Sequence, residues 1–420
     1  MPILKAYRFN LRCSPAQQRS LRRASGGLRW VWNQALAEQK ARYARGEPYA
    51  NYVAMAKWLT AWRNAPETSW LAEGPIHPQQ QVLRRLDETY RRFFKKAGGS
   101  PRFCARGQEP GVRFPDPKQF ELDQMNGRIK VPKLGWLRLR QSQPVDGLVK
   151  NISIRREGSS WFASIQVEVA ETMPARGIAP SLGIDLGVAN FLATSDGDLK
   201  APLAALAAQQ RRLRRYQKSV SRKVKGSCNR RKAIERLGRL HRKIARQRSD
   251  WLHKLSTSLA NQHPVIAIED LKVKNMSASA SGTAAAPGRN VRQKAGLNRS
   301  ILDAAWGEFA RQLEYKLAWA GGELLKIEPA YTSQRCSYCG QIDARSRKSQ
   351  AQYVCVACGH SEHADVNAAK NILAAGHAVW SLREIERTKA CGEDVRRAAV
   401  ARPRHAASAK QEPAEGTVHA

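Results

Sequence analysis

Four cysteines stand as two C-x2-C pairs fifteen residues apart: Cys336, Cys339, Cys355 and Cys358. Each pair places two sulfurs at a tight turn, and Gly340 and Gly359, one residue past each pair, let the backbone bend around a metal. Two such knuckles supply four thiolates, a tetrahedral set that favours zinc and leaves no open coordination position. The expected zinc is therefore structural. His360 and His363 lie close by, but four sulfurs already fill the shell. The remaining cysteines, Cys13, Cys104, Cys228 and Cys391, are scattered. That pattern suits reduced thiols plus one metal site, not a disulfide framework.

Charge narrows the partner. The 420 residues carry 72 Lys and Arg against 35 Asp and Glu, a net charge of +37. So one-sided a charge repels itself in a compact chain unless a polyanion is near, and nucleic acid gains affinity by releasing counterions from each neutralised phosphate. The excess is concentrated: between Arg211 and Lys254 stand eighteen Lys or Arg against two acids, Glu235 and Asp250. Leu213, Val220, Ile234, Leu237, Leu240 and Ile244 recur there at helical spacing, and "KGSCN" (225–229) is expected to break the helix. A membrane surface is the rival partner, but it wants an amphipathic helix with a rich apolar face. No apolar run approaches the roughly 18 residues of a membrane span. The apolar part of "MPILKAYRFNL" is too short for a signal peptide. The expected location is the bacterial cytoplasm, in association with the nucleoid.

Patterning divides the chain. "LKAYRFNL" alternates as a short strand, and "CSPAQQ" starts a helix with Ser14 as cap, Pro15 in the first turn and Gln17 closing a capping box. Helical pattern continues to about Gly98, giving a basic lobe whose Trp30, Trp32, Tyr90, Phe93 and Phe94 are read mainly as core, with base stacking as the alternative. From Ser100 to Val169 the texture is β: "GRIKVP", "WLRLR", "NISIRR" and "WFASIQVEV" alternate, pointing to a small β-barrel that the opening strand joins. "SLGIDLGVANFLATSDGD" reads as two short strands and "PVIAIEDL" as a buried one. "ELLKIEP" is a further strand after the amphipathic run "RSILDAAWGEFARQLEYKLAWAGG". Past Gly376 the composition points to a disordered tail.

Three acids stand out. Asp185 sits in an apolar strand, where a carboxylate is costly unless something binds it; Glu269 ends a second apolar strand; Asp365 opens a helix just past the last knuckle. Singly, each could be a cap or an ion-pair partner. Together they suggest oxygen ligands converging on magnesium, and a pair of ions about 4 Å apart suits phosphodiester hydrolysis.

The ordered set "GIDLGVANFLATSDGD", "IAIEDLKVKNM", "LNRSILDAAWGEFARQLEYKLAW", "PAYTSQRCSYCG" and "CGHSEHADVNAAKNIL" resembles the TnpB (OrfB) family of bacterial insertion sequences, as do "GSPRFCARG…VRFPDP" upstream and "ACGEDVRRAAVARPRHAASAKQEP" in the tail. The resemblance covers nearly the whole chain. These proteins look like compact relatives of type V CRISPR effectors. It implies an α/β plus β-barrel architecture. A wedge-type barrel would comprise residues 1–12 and 99–178, a helical recognition lobe 13–98, and a ribonuclease-H-like (RuvC) nuclease domain 179–330 and 360–376. A zinc ribbon would span 331–359 and a disordered tail 377–420. It implies a guide RNA derived from the transposon end, double-stranded target DNA cut beside a short transposon-adjacent motif, and no membrane partner. By matched position Asp185, Glu269 and Asp365 become the catalytic, magnesium-binding carboxylates, and the four cysteines the zinc ligands. Many members carry an acid two positions before the third carboxylate; here that position is His363. Two rivals stay open: a nucleic-acid-binding regulator of transposition that cuts nothing, and a transposase that joins DNA ends.

Overall fold

The computed structural model describes residues 3–170, 179–283, 286–328 and 330–400, with side chains through residue 383 and at 385. It divides into two compact units, Met1–Glu171 with Tyr216–His241, and Thr172–Arg215 with Arg242–Ala420.

In the first unit, strand β1 (Ile3–Arg12) leads into α1 (Pro15–Ala44), α2 (Tyr52–Asn64) and α3 (Ile76–Phe94). Helix α1 starts where the sequence provides for it: Ser14 Oγ accepts from the Gln17 N–H (3.2 Å) and Gln17 Oε1 from the Ser14 N–H (2.9 Å). Leu21, Leu28, Val31 and Leu36 form its buried stripe, and α3 contributes Val82, Leu83 and Leu86. Six strands follow: β2 (Val112–Phe114), β3 (Glu121–Asp123), β4 (Arg128–Val131), β5 (Gly135–Arg140), β6 (Leu148–Glu157) and β7 (Ser160–Val169). They join β1 in a seven-stranded sheet of order β2-β6-β7-β1-β5-β4-β3, antiparallel throughout. In β7, Trp161, Ala163, Ile165 and Val167 are buried at alternate positions, the mark of a sheet with one face on a core. The three helices are thus inserted between the first two strands.

The barrel expected from the sequence is not closed: among the described residues β2 and β3 end the sheet unpaired with each other. Each edge strand is three residues long and pairs on one side only, β2 with β6 and β3 with β4. The result is an open half-barrel.

The second unit is built on β8 (Leu182–Asp185), β9 (Leu192–Thr194), β10 (Leu199–Lys200), β11 (Val265–Glu269) and β12 (Glu323–Ile327). Their order is β10-β9-β8-β11-β12. The first three pair antiparallel, whereas β8, β11 and β12 run parallel. Helices α4 (Ala205–Ser221) and α5 (Cys228–Gln262), which carry the basic segment, lie between β10 and β11 in sequence and are separated by residues 222–227. After β11 come a short α6 (Val273–Met276), α7 (Val291–Ala304) and α8 (Trp306–Trp319). A two-stranded ribbon, β13 (Gln352–Val354) with β14 (Ser361–His363), precedes α9 (Ala364–Val400).

Strand β11 is apolar on both faces because both are covered. Ile266 and Ile268 pack in a core with Phe309, Leu313 and Leu317 of α8, while Val265 and Ala267 pack with Leu325, Ile372 and Trp380. Helix α9 lies directly on β8. A side chain on Gly183 would stand 2.2 Å from the Ala369 carbonyl oxygen and 2.7 Å from the Leu373 nitrogen. No residue but glycine fits there.

Helix α9 also corrects a sequence expectation. Residues 377–400, read as the start of a disordered tail, continue the helix, and the rest of that tail lies outside the described residues. The stretch lacks an apolar repeat, but Ala, Arg and Glu are good helix formers and extend a helix already nucleated on the core. No helix among the described residues is long and apolar enough to cross a membrane.

Candidate functional site

The cysteine cluster is assembled by two loops of matching shape. In each, the glycine after the second cysteine has positive φ (77° at Gly340, 73° at Gly359) and donates its N–H back to the carbonyl of the first cysteine at 3.0 Å. The four Sγ atoms all lie within 4.8 Å of one another. Cys336 and Cys358 are 3.8 Å apart, Cys339 and Cys355 3.6 Å. A tetrahedron with metal–sulfur bonds of about 2.3 Å has edges of about 3.8 Å, so the cluster has the dimensions of a four-thiolate metal site. Tyr353, fully buried, and Ala364 pack beneath Cys336 and Cys355.

The three acids come from elements distant in sequence. Asp185 ends β8, Glu269 ends the parallel neighbour β11, and Asp365 lies in the first turn of α9. The carboxyl ends of adjacent parallel strands are where open α/β sheets place ligands. Burial pushes the Asp185 carboxyl up to about 7, and the charges of Glu269 and Asp365 push the same way; Arg347 and the Leu186 N–H act against them. Burial also raises Glu269, offset by a hydrogen bond from Thr332 Oγ1 to its Oε1 (2.5 Å). Asp365, buried, accepts from Asn190 Nδ2 (3.1 Å) and from Arg347 Nη2 (3.2 Å). The carboxylates are near enough to feel one another. Among the described residues, however, only the cysteines gather three or more ligand atoms within 4.8 Å.

His363 has a local role. Its Nδ1 accepts the Asp365 N–H (3.2 Å), satisfying an orphan donor at the start of α9.

Several groups at the site gave no signal in the sequence. Asn190, Thr332 and Arg347 sit in loops, and only the folded chain brings them to the acids. Asn367 and Asn371 were legible in hindsight, as a buried amide pair four residues apart on one helix face. Asn367 accepts the Ser337 N–H (2.9 Å) and donates to the Arg335 carbonyl (2.8 Å); Asn371 donates to the carbonyls of Thr332 (2.9 Å) and Arg335 (2.7 Å). The helix that carries Asp365 thereby grips the first cysteine loop.

Three stretches of the chain match models of known families. Residues 164–280 match a family described as "Probable transposase" (OrfB of IS605), residues 306–372 the Cas12f1-like TNB domain, and residues 1–48 the helix-turn-helix domain of the same OrfB group. An Escherichia coli K12 protein named "Putative RNA-guided DNA endonuclease InsQ" is 46% identical over 385 residues, covering 92% of this chain and 95% of that one. A Streptomyces pristinaespiralis protein of the same description is 31% identical over 420 residues, covering 99% and 98%. The cryo-EM structure of a Cas12f1–sgRNA–target DNA complex shares the fold with a TM-score of 0.54 at 14% identity, over 89% of this chain and 99% of that one. The chain belongs to the TnpB (OrfB) family of insertion-sequence proteins.

Proposed function

We propose that this chain is a transposon-encoded, RNA-guided DNA endonuclease whose cutting centre is Asp185, Glu269 and Asp365. The observation that carries the reading is convergence: Asp185 and Glu269 end adjacent parallel strands, Asp365 opens the helix packed on β8, and Asp185, pushed up to about 7 first by burial, also feels the charges of Glu269 and Asp365. A protein that only binds nucleic acid gains nothing from crowding like charges at strand ends. The five-stranded mixed sheet with acids at its carboxyl edge is what a ribonuclease-H-like reading requires, and the names of the full-length relatives point the same way.

The donor set fits magnesium, a hard cation that takes oxygen ligands and is commonly held by one or two carboxylates plus substrate phosphates. A looser set of acids therefore suits two ions about 4 Å apart better than one closed cage. When bound, such ions activate water and stabilise the leaving oxygen of the phosphodiester. The chain's own residues prepare the site. Asp185 and Glu269 present oxygens from rigid strands, Thr332 orients Glu269, and Asn190 with Arg347 fixes Asp365. The cysteine cluster fits zinc, which would anchor the loop that supplies Arg347 and take no part in the reaction. Sequence choice would come from pairing of the guide RNA, derived from the transposon end, with target DNA beside a short flanking motif. The cations of α4 and α5 would hold the duplex backbone.

The test is cleavage of a target plasmid by the purified protein with its RNA, in magnesium and in EDTA. Cutting in magnesium alone, lost in Asp185→Ala with RNA still bound, is the expected result. Cutting that survives the substitution would sink the assignment. Absence of cutting with any divalent cation would leave the regulator, and joined DNA ends would point to the transposase.

A further inference from the structure

The far end of α3 carries a feature that the cutting centre does not use. Tyr90, Phe93 and Phe94 crowd its last turns, and Tyr49 joins them from the segment before α2. Ring centroids lie 5.1 Å apart for Tyr49–Tyr90, 5.3 Å for Tyr49–Phe94 and 5.8 Å for both Tyr90–Phe94 and Phe93–Phe94. Phe93 is 40% exposed and Phe94 55%. Arg91, Arg92, Lys95 and Lys96 surround them, all exposed.

The assembly is held in place from below. Asp87, buried on the same helix, accepts from the Tyr49 hydroxyl at 2.8 Å and from Arg91 at 2.9 Å. Burial and that bond hold the Tyr49 hydroxyl well above the ordinary tyrosine range, so it stays a donor. Cations at a helix C-terminus complement the helix dipole and need no further reason. Two adjacent exposed phenylalanines continuous with two more rings do: monomer surfaces scatter single apolar side chains, and contiguous patches mark contacts.

We propose that this aromatic end of α3 stacks on unpaired nucleotides of RNA, with Arg92, Lys95 and Lys96 taking the flanking phosphates. The chemistry is that of a single-strand platform, in which ring faces take bases of any identity and cations track the backbone. RNA is favoured over DNA because RNA loops, bulges and ends keep bases unpaired and free to stack on aromatic side chains. A target duplex exposes its bases only while opened. The inference rests on the RNA-guided reading, but it concerns binding and not cutting, so the two can fail separately.

The first experiment irradiates the full chain with its co-purified RNA and maps crosslinks by mass spectrometry. A ribonucleotide adduct on Phe93 or Phe94 is expected, and a deoxyribonucleotide adduct there would overturn the assignment to RNA. The second measures RNA-free full chain against a 15-nucleotide oligouridine. The double substitution Phe93→Leu/Phe94→Leu keeps apolar bulk and removes the ring faces. It is expected to weaken binding about five- to a hundredfold, with Phe93→Tyr/Phe94→Tyr restoring it. Its salt dependence should match the parent, because no phosphate contact is lost. Parent-like affinity in the leucine variant, or adducts confined to other segments, overturns the proposal. If the parent binds no RNA at all, the RNA-guided reading falls with it; if the parent binds and the leucine variant binds equally, only this inference falls.

Discussion

The cysteine cluster and the carboxylate cluster lie in one unit and share an element, since α9 both carries Asp365 and grips the first cysteine loop, yet they are built on opposite principles. The sulfurs are brought together by short backbone turns of one design, spaced as a tetrahedron demands, and need no outside partner. The carboxylates come from three distant elements, keep a wider spacing, and two of them lean on side chains from loops, Glu269 on Thr332 and Asp365 on Asn190 and Arg347. Closed geometry suits a site that holds a fold, and the more open set of acids suits the substrate-receiving role proposed for it. The difference also explains legibility. A local site is written in local spacing, whereas a distributed site is written only in the fold.

The sharpest way to break the comparison is to remove one ligand from each cluster. On our reading, Asp185→Ala lowers plasmid cutting by about a thousandfold or more, several kcal/mol of transition-state stabilisation, while the chain stays folded and RNA affinity holds steady. Cys355→Ser should do the reverse in kind: metal analysis drops from one zinc per chain towards none, and the ribbon around Tyr353 loses protection in hydrogen exchange. Cutting would fall there only as a consequence of lost order. If the cysteine variant stayed folded and zinc-free while cutting normally, the division between the two sites would be false.

Smaller effects sharpen it. Arg347→Ala removes the cation paired with buried Asp365 and should cost about ten- to a hundredfold in cutting, as loss of a partner orienting a metal ligand commonly does. Single-turnover kinetics at varied magnesium would show whether the loss lies in ion affinity. Acidity offers a subtler probe. In metal-free protein Asp185 holds its proton up to about 7, far above its value in the unfolded chain, so the folded state binds the extra proton between about pH 4 and 7. Stability is therefore present at the acid end of that window and lost as pH rises through it. Melting temperature in EDTA should fall by a few degrees from pH 5 to 8, and Asp185→Asn should flatten the slope. A pH slope left unchanged by Asp185→Asn would contradict the raised Asp185 carboxyl.

How much of this was visible beforehand follows the same division. The knuckle spacing named the four sulfurs, and acids ending apolar strands pointed to Asp185 and Glu269, because a carboxylate there needs a reason. Asp365 was ambiguous with a helix cap until the resemblance weighed in, and the structure assigns the capping to His363 instead. Arg347, Thr332 and Asn190 were invisible because no periodicity governs loops. The open edge of the half-barrel was missed because alternation marks a strand but does not record which strands pair with which. The helical run from 377 to 400 was missed for the opposite reason: propensity and continuity, not an apolar repeat, sustain it.

Gly183 has the longest reach of any single position. Two of the three acids ride on β8 and α9, and the spacing between those elements is set by a missing methyl group, since any side chain there would strike the Ala369 carbonyl. A relative could therefore keep every acid and every cysteine and still fall silent as a nuclease. It would need only one carbon at this place, because a misplacement of about 1 Å can cost a hundredfold in rate. An inventory of ligands is thus a poor guide to which members of such a lineage still cut; the contact beneath them is the better witness, and Gly183→Ala, folded and RNA-bound but slow, would show it.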